Sequence, residues 1–311
     1  MKQNLLLFLF SLSIVVACDS KPELNKQNYP GHLESGSIDS YVDFPSNFVR
    51  SRNVDVWLPD GYSSDQTYQV LYMHDGQMLY DANLTWNKQE WGVDETLGNL
   101  IATGKVPPTI VVSIWNHADI RWNDYFPIKA GQAGLDAIPM DDQDIQDTYV
   151  NAAHNADEYL KFIVKELKPY IDEHYSVYTD AEHTFVGGSS MGGLISMYAI
   201  CEYPQVFSGA ICMSTHWTGI KNLAYDNPIP DSFMSYFESN FPKDKNHKIY
   251  FDYGTETLDA TYAPYEPQLD FILGEMNLGS RAENIKFDGH AHDEISWNKR
   301  LSIPFKFILN N

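Results

Sequence analysis

The stretch Gly188-Ser189-Ser190-Met191-Gly192 constrains this chain more than any other. It follows a β-forming run, His183-Thr184-Phe185-Val186-Gly187, and opens into an apolar segment of helical periodicity from Leu194 to Tyr203. A serine between glycines at such a junction predicts a strand, a sharp turn and a helix, the arrangement of a nucleophile elbow. Glycines are expected there because neighbouring backbone approaches too closely for a Cβ. The turn lifts the serine hydroxyl above the sheet edge, where a base can take its proton. The N-terminus of the next helix then favours negative charge beside it. The spacing alone is common; the strand before it and the helix after it give it meaning.

The rest of the chain supplies a setting for that turn. About eight strands are predicted, at 36–45, 52–58, 68–74, 108–115, 183–188, 207–214, 247–253 and 283–288. Several are unbroken apolar runs, such as Thr109-Ile110-Val111-Val112-Ser113-Ile114, as expected of strands covered on both faces. Helical patterns alternate with them at 90–103, 155–175, 191–203, 231–241, 265–277 and 296–309. Between Asp157 and Tyr175, for example, Tyr159, Leu160, Ile163, Leu167 and Ile171 share one face. This alternation predicts an α/β fold, a mostly parallel central sheet flanked by helices. The first two strands, joined by a short loop, are expected to form an antiparallel edge. Two long irregular segments, 123–154 with its acidic Asp141-Asp142-Gln143-Asp144 and 216–246, read as lids or binding loops. Neither a repeat nor a second domain is evident, so residues 35–311 are expected to form a single catalytic domain.

With 311 residues, 43% of them hydrophobic, the chain has material for a substantial core. Its net charge of −21 argues against nucleic acid and against anionic membrane surfaces as partners. At the N-terminus, Lys2 precedes an apolar run, Leu5 to Val16, that ends in Val15-Val16-Ala17-Cys18. That run is short for a membrane span and reads as an export signal. Its end resembles a bacterial lipobox, so residues 1–18 are expected to be a lipoprotein signal ending at Cys18, with 19–34 a flexible tether. An exported protein in the periplasm or at the cell surface follows, its contact with membrane made only through the lipid on Cys18. Cys201 and Cys212 read as two small buried residues rather than a disulfide.

A serine nucleophile needs a base and an acid further along the chain. The last predicted strand runs into Gly289-His290-Ala291-His292-Asp293-Glu294, which offers His290 and His292. The loop after the preceding strand, Gly254-Thr255-Glu256-Thr257-Leu258-Asp259, offers Asp259 first and Glu256 second, with Asp252 behind them. An oxyanion hole takes one backbone N–H from the residue after the serine, here Met191, and another from the loop after the third strand, here Gln77. His74 and Asp75 beside Gln77 read as structural. Trp217, Tyr262 and Tyr265 lie near the predicted active-site loops, and Trp217 is the expected substrate-binding residue for sugar or aryl stacking. No metal or cofactor is expected: His290-Ala291-His292 lacks a third ligand, and neither a phosphate-binding loop nor a dinucleotide fingerprint is present.

Taken together these residues resemble the putative-esterase family of α/β-hydrolases, which includes feruloyl and acetyl-xylan esterases, S-formylglutathione hydrolases and siderophore trilactone esterases. The resemblance runs from about 35 to 310 and rests on an ordered series. It comprises His74-Asp75-Gly76-Gln77, then Asn116 with Arg121 and Tyr125-Phe126-Pro127, then Tyr159-Leu160 through Pro169-Tyr170-Ile171-Asp172. The elbow with Gly193, Tyr203-Pro204-Gln205-Val206-Phe207 and the closing His292-Asp293-Glu294 with Trp297 complete it. The resemblance implies an α/β-hydrolase fold, His292 as the base and Arg121 among the groups shaping the cleft. It further implies a serine ester hydrolase acting on small-molecule or polysaccharide esters, such as acetyl or feruloyl groups. A siderophore trilactone esterase and a non-catalytic binding lipoprotein on the same scaffold are the other readings. The chain departs from the family at the acid, which relatives commonly place three residues after the loop glycine, where Thr257 stands here.

Overall fold

The computed structural model describes residues 24–138, 146–220 and 227–310 and gathers nine strands into one sheet. In chain order they are β1 (Asn25–Asn28), β2 (Ser37–Phe44), β3 (Arg52–Leu58), β4 (Gln69–His74), β5 (Thr109–Ile114), β6 (Thr184–Ser189), β7 (Gly209–Met213), β8 (Lys248–Gly254) and β9 (Ala282–Phe287). Their spatial order is β1-β2-β3-β5-β4-β6-β7-β8-β9. The pairings β1–β2, β2–β3 and β3–β5 are antiparallel, and every pairing from β5 through β4 to β9 is parallel. Every residue of β4, β5, β6 and β7 is buried, which explains their unbroken apolar sequences.

The ninth strand, β1, occupies part of the stretch read as a flexible tether. Its sequence, Asn-Lys-Gln-Asn, is fully exposed and carries no apolar signature. What holds it is backbone: it extends from Asn25 opposite Val42 to Asn28 opposite Asp39, on the unpaired edge that β2 offers. Lys26 also reaches Asp39 at 2.8 Å. The signal and lipobox reading, Cys18 included, falls outside the described residues.

Helices cover both faces of the parallel strands. The helix Met191–Glu202, directly after the elbow, is buried at every position from Met191 to Cys201, so it is apolar all round rather than amphipathic. The helix predicted at 155–175 is present but passes through a π turn, Ile163–Leu167, between Ala156–Phe162 and Lys168–His174. Cys201 and Cys212 are both free thiols and both buried.

The two irregular segments are built differently from binding loops. In the first, helix Ile128–Asp136 packs on helix Ile229–Asn240 of the second. Ser232 Oγ donates to the Ala130 carbonyl at 2.6 Å, and Trp122 Nε1 donates to the Gly219 carbonyl at 2.8 Å. Among the described residues, none from 123–154 or 216–246 lines the cleft above the elbow. Phe126 meets Phe233 between them, and other rings, such as Trp217 and Phe237 on Phe251, pack into the core, which makes these described residues a helical layer. The acidic tract at 141–144 lies outside the described residues.

Candidate active site

The elbow forms where β6 ends. Ser190 adopts φ 58° and ψ −123°, a conformation costly for a residue with a side chain. Three hydrogen bonds hold it there: its N–H donates to Met213, and its carbonyl accepts from Leu194 and His216, at 3.0, 3.1 and 3.2 Å. Gly188 suits a close approach, since a Cβ on it would lie 3.0–3.1 Å from the backbone of Gly192 and crowd it. Ser190 and His292 line one cleft of about 630 Å³.

His292 follows β9, and the loop carrying it docks on the loop after β8. The His290 carbonyl accepts from the N–H groups of Thr255 and Glu256, both at 3.0 Å. Gly254 permits this contact, because a Cβ there would strike the His290 oxygen at 2.1 Å. Behind His292 sits Asp259, completely buried, with Oδ1 2.5 Å from His292 Nδ1. Burial alone would raise the Asp259 carboxyl. The His292 contact, the Ser214 hydroxyl and the Gly254 N–H outweigh it, so the group is held below the usual carboxylate range. Glu256, the other acid candidate, is exposed. Asp252, the third, is buried on the far side and paired with Arg300 at 2.9 Å.

Thr257, at the position where relatives commonly carry the acid, has φ 54° and accepts the His292 N–H on its hydroxyl at 2.8 Å. A 3₁₀ turn over Thr257–Thr261 then brings Asp259, two residues on, beneath the imidazole. Thr257 thus holds the backbone of the histidine whose side chain Asp259 holds. The ring of His290 turns away and packs on Phe287, with centroids 5.3 Å apart.

The opposite wall comes from the loop after β4. Gln77 sits within a 3₁₀ turn, Gly76–Met78, and Met191 is the first residue of its helix. At both positions the backbone N–H has no carbonyl within its own element to bind. Gln77 is fixed by its side chain, which accepts from the Asn116 N–H at 3.2 Å. Asp75 accepts from Arg121 Nε and Nη2 at 2.8 and 2.7 Å, and from Asn116 Nδ2 at 2.6 Å. Burial pushes its carboxyl up, but Arg121 and Asn116 win, and the net shift is down. His74 is wholly buried, with Nδ1 2.8 Å from the Tyr159 hydroxyl. Burial pulls its imidazole down to about 3, so it is neutral at ordinary pH.

The expected substrate residue Trp217 is misplaced by the sequence reading. It is 1% exposed, packs on Phe251 with centroids 5.6 Å apart, and belongs to the core. Tyr262 is also buried, yet it faces the elbow: its hydroxyl lies 2.7 Å from His216 Nδ1 and within reach of the Ser190 side chain, and its ring stands edge-on to His292 with centroids 5.8 Å apart. Tyr265 packs against the core. Nearness in sequence to site loops does not say which way the rings of Trp217 and Tyr265 face. The cleft is lined instead by Trp86, 83% exposed, with Asn87 and Gln89 beside it. Those residues lie in an aperiodic polar stretch that carries no pattern to single them out. Asp293 and Glu294 complete the rim; Glu294 is buried, accepts from Asn87 Nδ2 at 2.8 Å, and is raised by that burial. No group of three or more His, Cys, Asp or Glu side chains suited to a metal ion occurs among the described residues.

The chain as a whole has counterparts among known proteins. Residues 46–307 match the family described as Putative esterase. The chain belongs to this esterase family. A curated relative, the endo-1,4-beta-xylanase/feruloyl esterase of Xylanibacter ruminicola, is 23% identical over 286 residues, covering 88% of this chain and 31% of the relative. The chain spans only part of the length of three curated relatives that it matches, 54%, 31% and 63%. Among solved structures, a ferulic acid esterase superposes with TM-score 0.62 at 18% identity, covering 88% of this esterase and 98% of the other chain. An enterochelin esterase from Shigella flexneri superposes with TM-score 0.63 at 16% identity, covering 91% and 60%. The fold they share is that of an α/β-hydrolase, and the domain is that of a carboxylic ester hydrolase.

Proposed function

We propose that this esterase is a serine hydrolase that works through an acyl-enzyme. Ser190 Oγ attacks the ester carbonyl while His292 Nε2 takes its proton, and Asp259 holds the imidazole by Nδ1 and stabilises the imidazolium. The N–H groups of Met191 and Gln77 hold the oxyanion. Collapse expels the alcohol, which takes the proton from His292, and water then releases the acid by the same steps in reverse. The observation that carries this reading is the 2.5 Å contact of His292 Nδ1 with buried Asp259, on the imidazole that faces the elbow cleft.

The substrate we infer is an uncharged acyl ester, acetyl or feruloyl, on a polysaccharide or a related small alcohol. Exposed Trp86 offers a flat apolar face for an aryl or sugar ring, and Asn87 and Gln89 offer polar partners beside it. The same lining weighs against an anionic siderophore lactone. The one Lys or Arg among the described residues that line the cleft, Arg121, is committed to Asp75, while Asp293 and Glu294 add acidic groups at the rim. Attachment through a lipid on Cys18 belongs to this proposal, and radiolabelled palmitate retained by the wild type and lost in Cys18→Ser tests it.

The deciding experiment is hydrolysis of p-nitrophenyl acetate, methyl ferulate and a catecholate trilactone by the mature protein, beside Ser190→Ala. Activity on the first two that falls on the order of 10⁶-fold in kcat in the variant supports the reading. A variant as active as the wild type removes the serine mechanism, and a preference for the trilactone overturns the substrate class.

A further inference from the structure

Behind Asp259 lies a hydrogen-bond array that the ester-cleavage steps do not use; of its members, Trp297 also borders the cleft. Arg300 is 1% exposed, an unusual place for a guanidinium. It grips Asp252 from Nε and Nη2 at 3.1 and 2.9 Å, and Nη2 also donates to Ser214 Oγ at 2.8 Å. Trp297 Nε1 donates to the same hydroxyl oxygen at 2.9 Å. That oxygen lies 2.6 Å from Asp259 Oδ2. Asp252 also secures the Ser214 backbone, whose N–H donates to its Oδ1 at 3.1 Å and to its carbonyl at 2.8 Å.

The direction of the Ser214 proton follows from counting. A serine hydroxyl has one proton and two acceptor sites, whereas guanidinium and indole N–H groups only donate. Arg300 and Trp297 therefore fill both acceptor sites, and the single proton is left to Asp259 Oδ2. The Gly254 N–H reaches the same oxygen at 2.6 Å. Oδ2 is thereby engaged twice by neutral donors, and Oδ1 faces His292. Arg300 Nη2 stands 3.8 Å from Oδ2, beyond hydrogen-bond reach but close enough for its charge to be felt.

We propose that Ser214, held by Arg300 and Asp252, is a positioning residue that directs its proton to Asp259 and keeps that carboxylate ionised and oriented on His292. The inference rests on the serine-hydrolase reading above. Other ionisable groups surround the pair: Asp293 and Glu294 on the following helix, Asp75 with Arg121 across the cleft, and Tyr262 with His216 beside the elbow. All of them remain in place in the variants that test it.

The test is Ser214→Ala, with Ser214→Gly as a second variant. Glycine suits the Ser214 backbone, whose φ is 43°, and removes the hydroxyl without strain. Without that proton Asp259 presses its charge harder on His292 and favours the imidazolium. The acid limb of the kcat/KM–pH profile is then expected to move to higher pH. Loss of one hydrogen bond to a charged group is expected to lower kcat about tenfold or more, with KM little changed. The far-downfield proton resonance of His292 Nδ1–H is expected to move as well. Folded variants that keep the acid limb, the resonance and kcat overturn the proposal and reduce the array to packing. A Ser190→Ala protein that stays active removes the serine reading instead, so the two failures are told apart.

Discussion

Two buried carboxylates flank the elbow serine, Ser190, each with an arginine near it, and they are bound in opposite ways. Asp75 is gripped by both nitrogens of the Arg121 fork and by Asn116, so neither of its oxygens is left for a histidine. Asp259 is kept from its arginine by the Ser214 hydroxyl, with Arg300 3.8 Å away, and its Oδ1 meets His292. The histidines divide the same way. His74 lies beside Asp75 in sequence but binds the Tyr159 hydroxyl and stays neutral, whereas His292 reaches its carboxylate across 33 residues. Each side has an aspartate, an arginine and a histidine. A carboxylate paired directly by an arginine becomes scaffold; one held by neutral donors keeps an oxygen free to orient a base.

The sharpest way to break that comparison is to neutralise each carboxylate in turn. Asp259→Asn is expected to lower kcat on the order of 10⁴-fold, because the imidazole is then held in the wrong tautomer. Asp75→Asn is expected to cost less in kcat than the ~10² of a lost oxyanion donor, its effect falling on stability. Steady-state kinetics beside urea melts separate the two, and equal losses of kcat would erase the distinction.

Arg121→Met probes the scaffold wall directly. It leaves Asp75 uncompensated, and about 2 kcal/mol of stability is expected to go, less than for a fully buried pair because the Arg121 side chain keeps 28% exposure. The Asp75 carboxyl is depressed, so its contribution is present above the ordinary carboxylate pKa of about 3.9 and is lost as pH falls through the depressed value. The gap between wild type and variant in urea melts should therefore narrow below about pH 4.

His74 gives a pH effect of the same sign, spread over a wider window. It is neutral in the fold down to about 3, while in the unfolded chain it takes up a proton below about 6.5. Stability should then fall with pH over that window by up to about 1.4 kcal/mol per unit. His74→Asn is expected to flatten this slope in urea melts at a series of pH values; an unchanged slope would show that His74 is protonated in the folded state. Smallest of all, Glu256→Gln alters an exposed side chain and should change stability by less than about 0.5 kcal/mol and leave kcat intact. A large loss of kcat there would return Glu256 to the acid's place.

Much of the site was legible because it is local. The elbow is a strand, a turn and a helix within one continuous stretch, Thr184 to Glu202, and the loops after the last two strands each announce themselves by the strand that ends there. Asp259 and Glu256 lie three residues apart in one loop, and no pattern within it says which turns inward; a 3₁₀ turn decides it. Trp217 was drawn to the cleft by its position after β7, yet its ring stacks on Phe251 of the adjacent strand. Trp86 escaped notice because an exposed platform in an aperiodic loop has no signature. β1 escaped because a strand held by backbone alone needs no particular side chains.

The sequence by itself determined the α/β architecture, the serine at the elbow and the order in which acid and base follow it. These depend on periodicity and spacing, which act over a few residues. Only the tertiary structure decided which carboxylate meets His292 and which is bound into the wall. That outcome depends on how many donors reach each oxygen. Ser214 and Arg300, 86 residues apart, meet Asp259 only when the strands are side by side.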